Sequence, residues 1–442
     1  MLISKTKIIM KNLYIIIVTL LIVSACSSDL DQSPPLEAAA SSLTDFAGVL
    51  NAAYFYHQAS TTPLAVMGDF RADNMLMDEE PYPAFDRFDA DLAGGDLVGQ
   101  FFGPFYTNLY KSILSSNNVI ENSTDATEIG EAQFLRALSY FKLVKVFGDV
   151  TLNLSSAPST SDLSILARQP ASTIYSTVII PDLQAAISAL DNSGLSSGRA
   201  TQIAAQGMLG KVYMQLSDFS SAQSQLASVV SGAASAGIAL QENFADIFGE
   251  ENDLNPEIIF ATQQSSSIDD LYGFTLFPGW FSGGDTKSLM PLDPDLVAAF
   301  DASPGDLRRD LTIDADAMTG PKWGGLDQDW IELRFGDVIL LYAEALNETG
   351  NTAGALTELN KIRARAGLDD STASSQGEVR SAIQDERRLE LAFEGQRWFD
   401  LVRTGTVDQE MGVTVNSNYH VFPIPDSEIL ATNGTITQNA GY

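Results

Sequence analysis

Apolar positions recur at three- and four-residue spacing along most of the chain, the period of a helix with one buried face. Glu131 to Phe147 places Leu135, Leu138, Phe141, Val144 and Phe147 on such a face, and Gly148-Asp149 ends it. Ile174 to Leu190 repeats the pattern around Pro181, which lacks an amide hydrogen and predicts a kink or a split. Ser42-Leu43-Thr44-Asp45 reads as a capping box opening a helix through about His57. A second box, Ser375-Gln376-Gly377-Glu378, predicts a helix running to about Phe393. Two stretches break the rhythm. Residues 61–104 carry Pro63, Pro81, Pro83, Gly94-Gly95 and Pro104. Residues 264–330 carry Pro278-Gly279, Gly283-Gly284, Pro291, Pro294, Pro304-Gly305, Pro321 and Gly324-Gly325. Turn formers at that density predict irregular, loop-rich surface, where binding residues concentrate.

Two helical stretches are internally similar. Leu209-Gly210-Lys211-Val212-Tyr213 continues through Asp218 and Ala222 to Leu226, and Tyr342-Ala343-Glu344-Ala345-Leu346 continues through Asn351 and Ala355 to Leu359. Aligned, Ala222 falls on Ala355 and Leu226 on Leu359, with a break (Ser217-Asp218, Gly350-Asn351) at the same place. Small residues at a helix crossing plus a short polar turn are the signature of tetratricopeptide-like pairs. The units are dispersed. The expected fold is therefore mainly α: tetratricopeptide-like helix pairs forming a curved scaffold, with loop-rich insertions and few short strands.

The N-terminus follows another rule. Lys5, Lys7 and Lys11 precede an uncharged run from Leu13 to Val23, followed by Ser24-Ala25-Cys26. A charged start, a short apolar core and small residues before a cut predict an export signal, too short to span a bilayer of about 20 apolar residues. Val23-Ser24-Ala25-Cys26 resembles a bacterial lipobox, in which the cysteine is acylated and becomes the mature N-terminus. Residues 1–25 are read as a lipoprotein signal peptide and 26–40 as a polar tether with Pro34-Pro35. Residues 41–263 are then an N-terminal helical part, 264–330 a loop-rich ligand-binding insertion, and 331–442 a C-terminal part.

Charge narrows the partners. The chain has 25 basic and 57 acidic side chains; losing residues 1–25 removes three lysines and no acid, moving the formal balance from −32 to −35. Such a surface repels phosphate backbones and anionic lipid, so no nucleic acid is expected and membrane association rests on the lipid anchor. Cys26 is the sole cysteine, which excludes internal disulfides. His57 and His420, far apart, make no multi-histidine zinc site, and His57 is read as a helix-surface residue.

Phe134-Leu135-Arg136-Ala137-Leu138-Ser139-Tyr140-Phe141 with Phe147-Gly148-Asp149-Val150 resembles the SusD/RagB family of Bacteroidetes outer-membrane lipoproteins. Leu333-Arg334-Phe335-Gly336-Asp337-Val338, leading into Tyr342-Ala343-Glu344-Ala345, is similar to a second family landmark. A third runs from Glu386-Arg387-Arg388-Leu389-Glu390-Leu391 to Gly395-Gln396-Arg397-Trp398-Phe399-Asp400-Leu401-Val402-Arg403. The end, Pro423-Ile424-Pro425 through Glu428-Ile429 to Thr437-Gln438-Asn439-Ala440-Gly441-Tyr442, resembles the family's C-terminus. Asp29 and Asp31, close behind Cys26, resemble a surface-export signal of Bacteroidetes lipoproteins. The resemblance implies a surface-exposed, lipid-anchored outer-membrane protein that binds oligo- or polysaccharide and delivers it to a SusC-like TonB-dependent transporter. It implies four tetratricopeptide-like pairs and a loop-rich ligand region, with no cofactor. Two other readings stay open: a RagB-like peptide importer subunit and a protein-binding helical-repeat adaptor.

Candidate chemistry favours binding over catalysis. Glu386, Glu390 and Glu394 lie at four-residue spacing among Arg387, Arg388 and Arg397. Glycoside hydrolysis needs one carboxyl with a raised pKa, whereas an arginine network holds carboxylates ionised, so the group reads as a structural ion-pair cluster. Trp398 and Phe399 read as core. There is no GxSxG elbow, P-loop or HExxH, and Asp314 and Asp316 lack the glycine and distal glutamate of a calcium loop. Neither a catalytic nor a metal site is expected. Sugars present apolar C–H faces and hydroxyl rims, which call for aromatic planes beside amide, carboxylate or guanidinium groups. The candidates are Trp280, Trp323, Trp330, Tyr272 and Phe281 in the insertion. Tyr82, Phe85, Arg71, Asp73 and Asn74 from the other loop are expected to line the same site. No family motif covers these loops, so all ten rest on composition and position.

Overall fold

The computed structural model describes residues 45–442, apart from 160–161, 266, 268–270, 286–287 and 326. The lipobox, the tether and Ser42–Thr44 of the first capping box lie outside the described residues. Asp45 and the residues after it form one compact unit.

Helices dominate. Those of eight residues or more are α1 (Ala47–Phe55), α2 (Gly103–Asn122), α3 (Ala126–Phe147), α4 (Ile180–Ala189), α5 (Gln202–Gln215), α6 (Phe219–Ala236), α7 (Pro294–Asp301), α8 (Phe335–Glu348), α9 (Thr352–Arg365), α10 (Gln376–Glu390) and α11 (Arg397–Thr404). Consecutive long helices pack in pairs: α2 on α3, α5 on α6, α8 on α9. The pairs join through α4 between α3 and α5, and through α6 against α8.

Local chemistry explains the boundaries. Asp125 caps α3 by accepting from the amides of Thr127 and Glu128, and Gly148, with φ 71°, ends it. The predicted apolar face of α3 is buried, but so are Phe134, Tyr140, Leu143 and Val146. This helix is packed on several sides, where the periodicity pointed to one. Pro181 lacks the amide hydrogen a continuous α-helix needs, and a π-helical turn over Tyr175–Ile179 precedes α4 there. The two similar units coincide in space as in sequence. Asp218 caps α6 and Asn351 caps α9, each accepting from the amide three residues on. Ser217 and Gly350 just before them both take positive φ. Ala222, Leu226, Ala355 and Leu359 are fully buried where the helices cross.

Two small antiparallel sheets complete the fold. β1 (Val150–Thr151) pairs with β2 (Arg168–Gln169), and β3 (Ile258–Thr262) pairs with β4 (Trp330–Arg334). Thr262 lies opposite Trp330, so residues 263–329 leave and re-enter the scaffold at one neck. The box at Ser375 is formed on both sides, but α10 stops at Glu390 and not near Phe393. There Asp69 accepts from the amides of Phe393 (3.1 Å) and Gly395 (2.8 Å), holding a turn in which both take positive φ.

Candidate functional site

The two loop-rich stretches do meet. Leu76 N donates to Pro291 O, Asp293 N donates to Asn74 O, and the Tyr82 ring lies 5.4 Å from Trp280. What they bury differs from the expectation. Trp280, Trp323, Trp330, Tyr272, Phe281, Tyr82, Phe85, Arg71, Asp73 and Asn74 are all interior, none more than 5% exposed. Trp323 stacks on Trp330 at 5.6 Å with Phe277 edge-on to both, and Phe281 is stacked between Phe70 and Phe393. The indole N–H groups of Trp280 and Trp323 donate to the carbonyls of Thr275 and Phe393. Arg71 donates to the carbonyls of Phe85 and Tyr419 and lies over the rings of Phe88 and Trp398. Asp73 pairs with Arg397 and Arg388, and Asn74 with Asp69 and Arg388. The indole N–H groups, Asp73, Asn74 and the terminal nitrogens of Arg71 bond within the protein, and the rings of the two stretches share one core, with Trp280 against Phe70, Tyr82 and Phe101. Within the insertion the exposed aromatic is Phe274, 48% open and edge-on to Tyr272.

The glutamate triplet is an ion-pair centre. Arg308, Lys322, Arg334, Arg363 and Arg365 meet Glu257, Asp306, Glu386, Glu390 and Glu394 in a buried network. Burial pushes Glu390 up, but Arg365, Arg334 and Arg308 outweigh it and hold its carboxyl well below the usual range. A general acid needs the reverse. Trp398 and Phe399 are core, as expected. His57 is not on the surface. It is buried with Nε2 3.1 Å from Ser139 Oγ and Nδ1 3.4 Å from Lys142 Nζ, and burial together with Lys142 pushes its pKa well down. Asp314 caps a turn by accepting from Asp316 and Ala317 amides. Among the described residues, no group of three or more histidine, cysteine or acidic side chains is arranged to hold a metal ion.

The chemistry that sugar recognition requires is gathered elsewhere, at the neck of the insertion. A cleft of about 520 Å³ opens between α1, the end of β3 and the ends of the 263–329 excursion. Tyr54 and Phe55 of α1 supply half-buried rings, and Gln58, Gln263, Gln264 and Asn51 supply amides. Asp253 and Asp329 supply carboxylates, and Arg199 a guanidinium. The frame is fixed by hydrogen bonds. Gln58 Nε2 donates to Gln263 O (2.8 Å), Gln264 N to Asp329 Oδ1 (2.8 Å), and Asp329 N to Asp253 Oδ1 (3.0 Å). Tyr54 OH donates to Glu131, and Arg199 lies 4.3 Å over the Tyr54 ring. Burial first, then repulsion from Asp253, pushes Asp329 up to about 7. Sequence reasoning missed this place. The rings and polar groups named come from five separate segments, and the signal within reach was the Gln263-Gln264-Ser265 run at the insertion boundary.

Comparisons with known proteins agree with this architecture. The family model described as "SusD family" matches residues 312–442, and one described as "Starch-binding associating with outer membrane" matches 89–214. A SusD-like protein, P2, of Formosa agariphila is 23% identical over 98% of this chain and all of that protein. The crystal structure of a SusD superfamily protein from Bacteroides vulgatus superposes with a TM-score of 0.76 at 22% identity, covering 90% of this chain and 99% of that one. A laminarin-binding SusD-like protein superposes at 0.72 with 23% identity, covering 90% and 99%. With family models matching over residues 89–214 and 312–442, a SusD-like relative aligned along 98% of the chain and the landmarks in order, the chain belongs to the SusD/RagB family.

Proposed function

We propose that this protein is a non-catalytic, cell-surface glycan receptor that captures oligo- or polysaccharide in the neck cleft. It passes the glycan to a SusC-like TonB-dependent transporter while acyl chains on Cys26 hold it to the outer membrane. The observation that carries the reading is the cleft's composition. Two ring-bearing residues of one helix sit beside four amides and two carboxylates, on a frame fixed by main-chain hydrogen bonds. A pyranose needs that combination, since its C–H face pairs with an aromatic plane and its hydroxyls need acceptors and donors. Family membership, outer-membrane association and the laminarin-binding neighbour support the same reading.

Phe55→Ala tests it. The ring is half-buried at the cleft wall, so its loss should leave the helical circular dichroism unchanged. It should weaken retention in polysaccharide affinity gels by about tenfold or more, the equivalent of roughly 1.4 kcal/mol. Full retention by the variant would remove the cleft from the function. Retention of peptides with no glycan bound would instead favour the peptide-importer reading.

A further inference from the structure

The charges that the neck cleft leaves without a counter-ion are acidic, and this bears on what it accepts. Asp253 and Asp329 face it, and Glu250, Asp327 and Glu251 lie close enough to raise the Asp253 pKa further by repulsion, after burial. Each cleft carboxylate commits one oxygen to the protein: Asp329 Oδ1 to Gln264 N, and Asp253 Oδ1 to Asp329 N. Neither bond uses the second oxygen, which leaves each residue a further acceptor at the cleft. The neighbouring cations are already engaged. Arg199 Nε is 2.7 Å from Glu131, its Nη1 donates to Asn51 Oδ1, and its plane covers Tyr54. His57 on the floor is kept uncharged by burial and Lys142, and Lys142 is itself paired with Glu332.

A hydroxyl or ammonium group entering here finds acceptors waiting. A carboxylate or sulfate meets the same carboxylates with neutral amides as its donors, the lining guanidinium Arg199 being already paired with Glu131, in a site partly withdrawn from water where like charges repel most. We propose that the cleft selects neutral and amino sugars over uronates and sulfated sugars, with Asp253 and Asp329 as the discriminating residues. The proposal rests on the reading of this cleft as the glycan site.

The test is a glycan array of neutral, amino, uronate and sulfated oligosaccharides, probed with the full chain in detergent. Asp253→Asn/Asp329→Asn is run in parallel; both asparagines keep the Oδ1 acceptor the fold uses. The unaltered protein should retain neutral or amino glycans and bind their acidic counterparts about tenfold more weakly or worse. The double variant should narrow that gap. Raising sodium chloride should narrow it too for the unaltered protein, because screening acts on the repulsion alone. Preferential retention of uronate or sulfated glycans would overturn the proposal and leave the glycan reading standing. An unchanged gap in the double variant would also overturn it. Retention of no glycan at all would bring down both.

Discussion

Asp69 shows how one side chain can define a family landmark without belonging to it. Its buried carboxylate accepts from Asn74 Nδ2 and from the amides of Phe393 and Gly395. Burial pushes it up to about 6, partly offset by those same donors. Gly68 beside it has no room for a side chain: a Cβ there would sit 2.3 Å from the Gly395 carbonyl carbon. Asp69→Ala would strand two buried amides as well as Asn74, each costing about 1–3 kcal/mol. The expected outcome is a loss of about 3 kcal/mol or more in urea unfolding, with Asp69→Asn losing less because it keeps one acceptor oxygen. Equal losses from the two variants would contradict this account. The Gly395-Gln396-Arg397-Trp398 run was legible as a motif. Its holder, 326 residues earlier, was not, because no local pattern announces a carboxylate that bonds across the fold.

Among elements, the helix pairs were the most legible, since their spacing, caps and small residues are local. Gly210 marks the crossing of α5 and α6, where a Cβ would meet Leu226 Cδ2 at 2.6 Å. Gly210→Ala should therefore destabilise by overpacking, about 1–3 kcal/mol in thermal or urea unfolding. A methyl group added at Gly232 on α6 would meet nothing within 4 Å, so Gly232→Ala should stabilise by about 0.5–1 kcal/mol through helix propensity. Matching effects at the two sites would refute the crossing. The insertion was less legible. Glycine and proline density correctly signalled irregular backbone, but it says nothing about which way a ring points. Trp280, Trp323 and Trp330 turned inward onto other rings, Trp280 against Phe70, Tyr82 and Phe101 of the other loop-rich stretch, and Trp323 and Trp330 against each other and Phe277. The cleft was illegible for a related reason. Tyr54, Arg199, Asp253 and Asp329 converge only once α1, the residues before α5, the loop before β3 and the returning end of the β3–β4 excursion are assembled.

For the molecule as a whole, the buried charges set opposing trends with pH. Asp337 and Glu390 are pushed up by burial but held below the usual range by Lys211 with Arg387, and by Arg365, Arg334 and Arg308. Stability from such depressed carboxyls is complete above the unfolded value, about 4, and is lost as pH falls through the folded one. Three other carboxyls run the opposite way: burial raises Asp69 to about 6, Asp329 to about 7 and Asp86 to about 8. Arg71 opposes the shift at Asp86, while Asp293 and Asp78 add to it. Their folded states hold protons that the unfolded chain releases near pH 4, so stability falls as pH rises from there through 6 to 8. Burial also lowers Lys145 to about 7 and Lys322 to about 8. Lys211 adds to the Lys145 shift while Asp400 and Glu332 oppose it; Glu394 opposes the Lys322 shift. The folded state releases those two protons before the unfolded chain does, which restores some stability above neutrality. Thermal melts should therefore be highest at about pH 4, where the acid limb is complete and the raised carboxyls are still protonated in the folded state, decline towards 8 and flatten beyond it. Asp329→Asn should remove its share of the decline between about pH 4 and 7 and leave the acid limb, set by the ion-pair centre, unchanged. A melting temperature that climbs from pH 5 to 8 in the unaltered protein would show that the buried carboxyls ionise freely, and the raised set would have to be abandoned.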